Sequence, residues 1–392
     1  MYASELSTLM PITSRPEPIM VRGLGSYLWD DRGHRYLDFI QGWAVNALGH
    51  CPAEILETLT CQAAKLITPS PAFHNAPQLA LSSRLVELSG LSQVHFANSG
   101  AEANEAAIKL ARKWGQVNKP GAFEILSTNN GFHGRTLATM AASGKAGWDS
   151  LFPPQIPGFR KVPYGDVDAI RQAITSRTVA IMVEPIQGEA GVIVPPSGYI
   201  RELRSLADEH GILLILDEVQ TGVGRTGTFF AFEQENVRPD IVTLGKGLGG
   251  GVPISAMLAA THACCFSHGD QGGTYNGNPL MTAVGLAIVE TVSDQHFLND
   301  VCASGVALWE ALATLGERFG FEDIRGCGLL WAIELSCPCA MKIQAAAFER
   351  GLLINAPRPN TLRLMPALNV QRSEIAEAMD LLKEAIEYTG VV

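Results

Sequence analysis

Ile212-Leu-Leu-Ile-Leu-Asp217 is the stretch that decides the fold. It is apolar at every position before the aspartate, and a second, mainly apolar run, Ile241-Val-Thr-Leu244, ends in Gly245-Lys246. Such runs are typical of strands in a parallel sheet that is covered on both faces. Further runs of this kind, separated by helical patterns such as 101–114, occupy residues 94–97, 123–126, 179–183 and 254–258. The sequence therefore predicts an α/β fold with crossover helices.

Polar clusters follow five of these runs. They are Asn98-Ser-Gly-Ala-Glu-Ala103, Gly131-Phe-His-Gly-Arg135, Glu184-Pro-Ile-Gln-Gly-Glu189, Asp217-Glu-Val-Gln220 and Gly245-Lys246. Ligands of open α/β sheets bind at the carboxyl ends of the strands, where the connecting loops converge. We therefore expect one site that is assembled from distant parts of the chain.

The C-terminal part of the chain has a different pattern. Helical patterns flank Gly326-Cys-Gly-Leu-Leu-Trp-Ala-Ile-Glu334 and Thr361-Leu-Arg-Leu-Met-Pro366, which indicates a smaller α+β domain. We expect an N-terminal segment (1–50) that joins this small domain, a large domain (51–285) and the C-terminal small domain itself (286–392).

Composition excludes several classes of protein. The 392-residue chain carries a net charge of −10, which argues against nucleic acid or an anionic membrane as the main partner. No run reaches the roughly 18 apolar residues of a membrane span, and residues 1–7 do not begin a signal peptide, so we expect a cytoplasmic protein. The eight cysteines form no paired CxxC pattern, which predicts reduced thiols and no metal site.

Two segments match the dinucleotide fingerprint GxGxxG, namely 222–227 and 245–250. A nicotinamide-dependent oxidoreductase is therefore an alternative hypothesis. The fingerprint requires a helix that opens within the glycines. Thr228-Phe-Phe-Ala-Phe-Glu233 lacks a helical apolar face, and Pro253 fits poorly in a first helical turn, so both matches are weak.

Lys246 and Asp217 together suit pyridoxal phosphate. A lysine amine can bond covalently to the aldehyde of this cofactor, and a carboxylate can keep its pyridine nitrogen protonated. Taken singly, Lys246 also fits a solvated loop lysine, and Asp217 fits a helix cap or a structural ion pair.

Other candidates support the same site. Ser99 and Gly100 precede good helix formers, so they form either an ordinary helix cap or a seat for phosphate. Arg135 and Arg363 are candidates for binding substrate carboxylates, because a guanidinium group pairs with a carboxylate bidentately. Phe132 is a candidate for stacking on a ring.

Taken together, these segments resemble the class III aminotransferases of the fold-type I pyridoxal phosphate enzymes, and in particular the acetylornithine aminotransferases. The resemblance covers nearly the whole chain. Its most specific segments are Ala44-Val-Asn-Ala-Leu-Gly-His50, Asn98-Ser-Gly-Ala-Glu-Ala-Asn-Glu105, Phe132-His-Gly-Arg-Thr136, Glu184-Pro-Ile-Gln-Gly-Glu189, Asp217-Glu-Val-Gln-Thr-Gly-Val-Gly-Arg-Thr-Gly227 and Thr274-Tyr-Asn-Gly-Asn-Pro279.

The resemblance implies a fold and a set of roles. It implies a large domain built on a mainly parallel seven-stranded sheet, and a homodimer with shared active sites. Lys246 would hold the cofactor and carry a proton, Asp217 would pair with the pyridine nitrogen, and Gln220 would contact the ring hydroxyl. The remaining cofactor-binding residues would be a phosphate loop (Ser99, Gly100, Ala101), two residues on the faces of the ring (Phe132, Val219) and a residue that reaches the partner's phosphate (Thr274).

The resemblance also implies how substrates bind. Glutamate would place its α-carboxylate on Arg363 and its distal carboxylate on Arg135, while Glu189 would pair with Arg363 whenever an ω-amino donor is bound. The implied reaction moves the δ-amino group of N2-acetylornithine to 2-oxoglutarate in arginine biosynthesis. Succinylornithine, ornithine, 4-aminobutyrate and succinyl-diaminopimelate are alternative donors.

The chain departs from the family pattern at two places. Gln41-Gly-Trp-Ala-Val-Asn46 replaces the commoner Gly-Gly-Ile-Ala-Val-Asn, so Trp43 is a candidate for selecting the donor. Asn276 replaces the usual first glycine of Tyr-Gly-Gly-Asn-Pro, a milder change near the expected dimer contact. A catalytically silent binding protein is disfavoured, because Lys246 and Asp217 are both present.

Overall fold

The computed structural model describes residues 8–390, so residues 1–7, which carry the prediction about a signal peptide, lie outside the described part. The strands are β1 (Met20–Leu24), β2 (Tyr27–Asp30), β3 (Arg35–Asp38), β4 (Gln93–Ala97), β5 (Glu124–Thr128), β6 (Phe159–Val162), β7 (Thr178–Val183), β8 (Leu213–Asp217), β9 (Ile241–Leu244), β10 (Ser255–Ala259), β11 (Asp323–Cys327), β12 (Leu330–Glu334), β13 (Leu352–Leu353), β14 (Asn355–Arg358) and β15 (Thr361–Leu364). The α-helices are α1 (Gln41–Ala44), α2 (Ala53–Ala63), α3 (Ala76–Ser89), α4 (Gly100–Asn118), α5 (Leu137–Ala142), α6 (Val167–Ala173), α7 (Tyr199–His210), α8 (Pro279–Val292), α9 (Gln295–Phe319), α10 (Ala340–Glu349) and α11 (Arg372–Thr389).

The central sheet has seven strands in the order β4-β10-β9-β8-β7-β5-β6. Neighbouring strands from β9 to β6 are parallel, whereas β10 is antiparallel to both β4 and β9. The prediction of a mainly parallel seven-stranded sheet is confirmed. The run at 254–258 was interpreted as a parallel strand, and this is wrong, because β10 is antiparallel to its neighbours. An apolar pattern indicates that a strand is buried but does not indicate its direction.

Strand β8 shows why its sequence is apolar at successive positions. Leu214 and Leu216 pack in one hydrophobic cluster together with Leu203 and Leu206 of α7. Leu213 and Ile215 pack in a second cluster, which also contains residues of α4. Helices therefore cover both faces of the sheet, and every residue of β8 is buried.

Two smaller sheets are made from the two ends of the chain. One is antiparallel and has the order β11-β12-β15-β14, and the other has the order β1-β2-β3-β13. In the second sheet the C-terminal strand β13 pairs in parallel with the N-terminal strand β3. The N-terminal segment is thus tied to the C-terminal part by main-chain pairing, while the domain boundaries at 50/51 and 285/286 stay a prediction.

Neither glycine motif opens an α-helix. The segment 222–227 is followed by a 3-10 turn at Ala231–Glu235. The segment 245–250 contains only a 3-10 turn at Lys246–Leu248 before strand β10. The phosphate-binding geometry of a dinucleotide fold is therefore missing at both places.

The prediction of reduced thiols is wrong for one pair of cysteines. Cys337 and Cys339 form a disulfide across Pro338, just before α10. Two thiols separated by one residue leave no sequence signal that distinguishes a bonded pair from a free one.

Within residues 8–390, no helix combines the length and the apolarity that crossing a bilayer requires. The same residues contain no group of three or more His, Cys, Asp or Glu side chains that is arranged to hold a metal ion.

Candidate active site

A cavity of about 280 Å³ lies at the carboxyl ends of the central strands. The loops after β5, β7, β8 and β9 and the first turn of α4 contribute its walls, as the positions of the polar clusters predict. Its lining residues are Gly100, Ala101, Asn104, Phe132, His133, Gly134, Arg135, Glu184, Glu189, Asp217, Val219, Gln220 and Lys246. Four predicted residues do not line it, namely Ser99, Thr274, Trp43 and Arg363.

Asp217 ends β8 and is held by three hydrogen bonds. Its Oδ2 accepts from Asn104 Nδ2 at 2.8 Å and lies 2.8 Å from His133 Nδ1. Its Oδ1 accepts from the Val219 N–H at 3.0 Å. Burial disfavours the charged form of His133, but the hydrogen bond and the charge of Asp217 outweigh burial and raise the pKa of the imidazole. The result is a buried, oriented carboxylate that has no Arg or Lys partner in the described part of the chain.

Lys246 begins the 3-10 turn after β9, with a positive φ of 43°. Burial lowers the pKa of its amine, and Arg363 lowers it further, while Glu189 and Asp217 act in the opposite direction. Among the described residues Lys246 makes no ion pair within 4 Å. A lysine with a lowered pKa supplies more of the neutral amine, which is the nucleophilic and basic form.

The N-terminus of α4 faces the cavity with unused donors. Ser99 caps the helix in a capping box with Glu102, so its hydroxyl and its N–H are already engaged. The N–H groups of Gly100 and Ala101 have no acceptor among the described residues, and both residues line the cavity. A Cβ at Gly100 would lie 2.7 Å from Val219 Cγ1, so only glycine allows this close approach. Two free donors at a helix N-terminus form an anion site.

Arg363 lies on β15 and is 1% exposed. Its Nη2 forms an ion pair with Glu189 Oε1 at 2.9 Å, and its Nη1 donates to the Gly188 carbonyl at 2.7 Å. Nη1 also lies 3.4 Å from Gln220 Oε1. Burial alone would raise the pKa of Glu189, but Arg363 and Lys246 lower it, so the carboxylate stays ionised. Glu189 faces the cavity while it holds Arg363.

Gln220 is oriented by the same arginine. Because its Oε1 faces Arg363, its Nε2 is the free end of the amide, and that atom is buried with no hydrogen-bond partner. A buried amide donor without a partner costs free energy unless a ligand accepts from it. The free Gln220 Nε2 therefore indicates that a ligand with an acceptor atom binds in the cavity.

Phe132 and Arg135 lie on the loop after β5. Phe132 lines the cavity and packs edge-on against Trp148, with 5.6 Å between the ring centroids. The Arg135 guanidinium carbon lies 5.4 Å from the Trp148 centroid, and Arg135 makes no ion pair among residues 8–390. An unpaired guanidinium at the cavity is suited to an anionic ligand.

Trp43 lies in an unusual turn. The residues Gln41, Gly42, Trp43 and Ala44 all have positive φ values, between 48° and 65°, so α1 is a single left-handed turn. Such a turn costs roughly 1–2 kcal/mol for each residue other than glycine. Asp38 Oδ1 supports it by accepting from the N–H groups of Ile40 and Gln41. The indole is 47% exposed and lies outside the cavity wall of the single chain.

Thr274 is also outside the cavity. It is exposed and belongs to a surface depression that contains the exposed rings of Phe73 and Tyr275. Asn276, one of the two departures from the family pattern, ties this segment to the start of α4, since its Oδ1 accepts from Asn98 Nδ2 at 3.1 Å.

Four cavity residues escaped the sequence prediction: Asn104, His133, Gly134 and Glu184. Asn104 lies one helical turn after the predicted phosphate seat, and His133 and Glu184 lie inside segments that we quoted for other residues. Glu184 Oε1 accepts from the Phe132 N–H at 2.8 Å, and burial raises the pKa of Glu184 to about 7. The signal available for Glu184 was its position directly after β7, and the signal for His133 was its place in the polar loop that follows β5.

A family model described as aminotransferase class III matches residues 12–386. The chain belongs to the class III aminotransferases. The resemblance noted from the sequence is confirmed, and the alternative of a nicotinamide-dependent oxidoreductase is wrong.

Relatives of this aminotransferase carry more specific names. Acetylornithine aminotransferase 2 of Bordetella bronchiseptica is 54% identical over 385 residues, with 97% of each chain covered. Acetylornithine aminotransferase of Ralstonia nicotianae is 52% identical over 392 residues, with 98% of each chain covered.

Solved structures share its fold. N-acetylornithine aminotransferase from Stenotrophomonas maltophilia has a TM-score of 0.86 at 36% identity, and 98% of each chain is covered. Ornithine aminotransferase from Toxoplasma gondii has a TM-score of 0.94 at 31% identity, covering 99% of this chain and 94% of that chain.

Class III aminotransferases use pyridoxal phosphate, and the cavity of this aminotransferase fits the group. Gly100 and Ala101 offer free N–H donors, as a phosphate requires. The carboxylate of Asp217 is fixed by hydrogen bonds and can accept from a ring N–H. Gln220 Nε2 is a donor without a partner that can bind an acceptor on the ring. Lys246 supplies the amine with a lowered pKa.

Proposed function

We propose that this aminotransferase transfers the δ-amino group of N2-acetylornithine to 2-oxoglutarate, giving N-acetylglutamate semialdehyde and glutamate. The reaction would be ping-pong, in the cytoplasm, as a step of arginine biosynthesis or its reverse. The names of the relatives that are 52–54% identical support the donor. One cavity must accept two unlike substrates in turn. The observation that supports this is the Glu189–Arg363 ion pair at the cavity.

The cofactor, when bound, supplies an aldehyde that accepts the amino group and a cationic ring that withdraws electrons from the carbon being deprotonated. We assign Lys246 to hold the cofactor covalently and then to carry the proton. Its lowered pKa supports this role, because it increases the fraction of the neutral amine, which is the form that accepts a proton.

The other residues of the cavity hold and orient the cofactor in this proposal. Asp217 holds the ring N–H, Gln220 Nε2 donates to the ring hydroxyl oxygen, and Gly100 and Ala101 bind the phosphate. Phe132 and Val219 cover the two faces of the ring. Ser99 does not bind the phosphate itself in this proposal, since its hydroxyl and its N–H cap α4. It contributes by fixing the start of the helix that carries Gly100 and Ala101.

Substrate selection depends on Arg363. Glutamate carries a carboxylate beside its reacting amine, so it can replace Glu189 on Arg363. Acetylornithine carries its carboxylate at the far end from the δ-amine, so Glu189 must stay on Arg363 to avoid an uncompensated buried charge. Arg135, which has no ion pair within residues 8–390, takes the distal carboxylate of glutamate or the carboxylate of the donor.

We further propose a homodimer with shared active sites. The exposed rings of Phe73 (66%) and Tyr275 (64%) beside Thr274 support an interface at this surface, because large exposed apolar groups in one patch mark association sites. In such a dimer Thr274 would reach the phosphate of the partner's cofactor.

A half-reaction panel tests the proposed donor. The holoenzyme is mixed with one donor and no keto acid, and the change in cofactor absorbance is followed. We expect N2-acetylornithine to give a higher kcat/KM than ornithine, 4-aminobutyrate and succinyl-diaminopimelate. A faster reaction with ornithine or 4-aminobutyrate contradicts the proposal. Repeating the panel with Trp43→Ile shows whether the side chain of Trp43 selects the donor.

Glu189→Gln is expected to separate the two half-reactions. The neutral amide leaves Arg363 without a counter-charge when an ω-amino donor is bound, so kcat/KM for acetylornithine should fall about tenfold or more. Glutamate supplies its own carboxylate to Arg363, so its kcat/KM should stay the same or rise. Stopped-flow measurement of both half-reactions checks this, with Glu384→Gln on the exposed face of α11 as control. Equal losses in both directions would show that Glu189 does not act as a gate.

A further inference from the structure

Glu189 lies in a closed loop, residues 187–193, which we call the gate loop. Its base is an antiparallel bridge in which the N–H of Gln187 donates to the Ile193 carbonyl at 3.1 Å and the N–H of Ile193 donates back at 3.0 Å. Val192 within the loop has a positive φ of 55°, which is a strained conformation for a β-branched residue. Such a conformation persists only where the surrounding structure holds it, so the contacts of the gate loop decide where Glu189 lies.

Three arginines hold the main chain on both sides of Glu189. Their bonds run from Arg363 Nη1 to the Gly188 carbonyl at 2.7 Å, from Arg358 Nε to the Ala190 carbonyl at 3.3 Å and from Arg325 Nε to the Gly191 carbonyl at 2.9 Å. No main-chain N–H of residues 8–390 donates to the carbonyls of Ala190 and Gly191. Each of these two carbonyls therefore receives its hydrogen bond from a guanidinium group, and a charged donor gives a stronger bond than a neutral one.

The arginines reach the gate loop together because they share one face of the sheet β11-β12-β15-β14. Arg325 of β11 is directly opposite Ala332 of β12, and Ala332 is directly opposite Arg363 of β15. Side chains that are directly opposite each other in antiparallel strands lie on the same face. Arg358 of β14 is opposite Thr361, which is two residues before Arg363 and therefore also on that face. The gate loop, which follows a strand of the central sheet, is thus docked on the small sheet through guanidinium groups.

Neither Arg325 nor Arg358 lines the cavity. Arg325 also pairs with Asp323 at 2.9 Å and with Glu334, so its charge is balanced within the small sheet. Arg358 Nη2 donates to Asn130 Oδ1 at 3.0 Å, in the loop that leads from β5 to the cavity wall. Both arginines therefore bear on the cavity through the loops that they hold.

We infer that Arg325 and Arg358 are positioning residues that keep Glu189 on Arg363. The ion pair requires that the carboxylate of Glu189 points towards Arg363 and that the main chain of the gate loop stays against the small sheet. The two arginine bonds just after Glu189 supply the second condition. Their loss favours the state in which Arg363 is open to a carboxylate beside the reacting amine. This inference rests on the proposed function, in which Glu189 stays on Arg363 for an ω-amino donor and leaves it for glutamate.

Arg358→Gln tests the inference, and it leaves no acid of the described residues without an ion-pair partner. We expect the ratio of kcat/KM for N2-acetylornithine to that for glutamate, each measured in its own half-reaction, to fall about fivefold, as for one lost hydrogen bond. Arg350→Gln is the matched control and should keep the wild-type ratio. Arg350 is also half-buried and also donates to a main-chain carbonyl, that of Ala346 at 2.8 Å, but it does not contact the gate loop.

Arg325→Gln should lower the same ratio. This variant also leaves Asp323 and Glu334 without their cation, so its melting temperature is measured alongside. The ratio compares two substrates of one protein sample, so a loss of folded protein lowers both values of kcat/KM equally and leaves the ratio unchanged.

A double-mutant cycle shows whether Arg358 acts through Glu189. In the Glu189→Gln background the gate loop has no charge to place on Arg363, so adding Arg358→Gln should change the ratio by less than about twofold. A structural role of Arg358 that is independent of Glu189 predicts the same loss of ratio in both backgrounds, and that result overturns the inference.

Glutarate, which has two carboxylates and no amine, provides a measurement without turnover. One of its carboxylates must displace Glu189 to reach Arg363, so its affinity rises as the open state becomes more populated. Calorimetry on the holoenzyme should show glutarate binding about two- to fivefold more tightly to Arg358→Gln than to wild type. Unchanged or weaker binding contradicts the inference, because general damage to the site does not raise affinity.

Failure of the proposed function gives a different pattern. In that case the wild-type protein does not react with N2-acetylornithine, or Glu189→Gln does not separate the two half-reactions. If Glu189→Gln separates them while Arg325→Gln and Arg358→Gln both keep the wild-type ratio, the gate exists and the inference about the two arginines is wrong.

Discussion

Lys246→Ala is expected to lower kcat at least about 10³-fold in both half-reactions. In the proposed function the variant loses the amine that would hold the cofactor and carry the proton, and general acid–base catalysis alone contributes about 10²- to 10⁴-fold. No neighbouring lysine can substitute, because the other residues that line the cavity include none. Stopped-flow single-turnover measurements on the variant, loaded with excess pyridoxal phosphate, check the loss.

The fold should survive this change. Residue 246 has a positive φ, which alanine and lysine tolerate equally poorly, so the exchange adds no backbone strain. We expect the melting temperature of the cofactor-free protein to stay within about 3 °C of wild type. Lys342→Ala on α10 should leave both turnover and stability unchanged. Turnover by Lys246→Ala at the wild-type rate would show that another group carries the proton.

Asp217→Asn is expected to lower kcat about 10²- to 10³-fold, the range for removing one preorganised electrostatic group from an active site. Asparagine has the same shape but only one acceptor oxygen, so the donors of Asn104 and Val219 both lose their charged acceptor and one of them loses its acceptor altogether. Without the carboxylate the ring nitrogen is no longer held in its cationic form. Retention of kcat within tenfold would show that Asp217 does not set the ring charge.

The Asp217→Asn variant should also change the pKa of His133. In the wild-type protein Asp217 raises the pKa of the imidazole against the effect of burial. Once the carboxylate is neutral, burial dominates and the pKa of His133 should fall below its usual value. The imidazole proton signals in the NMR spectrum would report the change, and Asp380→Asn on α11 should leave them where they are.

Much of the cofactor site was predictable because it is built from strand ends. Asp217 and Lys246 each close an apolar run, and Ser99 stands directly before a helix that begins at Gly100. Such positions are visible in the sequence, since the periodicity of apolar residues marks where the strands and helices end. The resemblance to class III aminotransferases then connected these separate positions.

The partners of Asp217 were not predictable in the same way. Asn104 is 113 residues away and His133 is 84 residues away, and both meet one carboxylate oxygen. Strand β6 was missed because Phe159-Arg-Lys-Val162 lies at the sheet edge and is half-exposed, so it lacks a continuous apolar run. A one-dimensional pattern records burial but not which buried groups face each other.

The sequence by itself determined the class of fold and the position of the cavity at the strand ends, and it pointed to Lys246 as the candidate reactive amine, because local apolar patterning and residue type carry that information. Only the tertiary structure decided the direction of β10, the left-handed turn at Trp43 and the ion pair of Glu189 with Arg363. These features depend on the packing of segments that are distant in the chain, and packing is settled only when the whole chain folds.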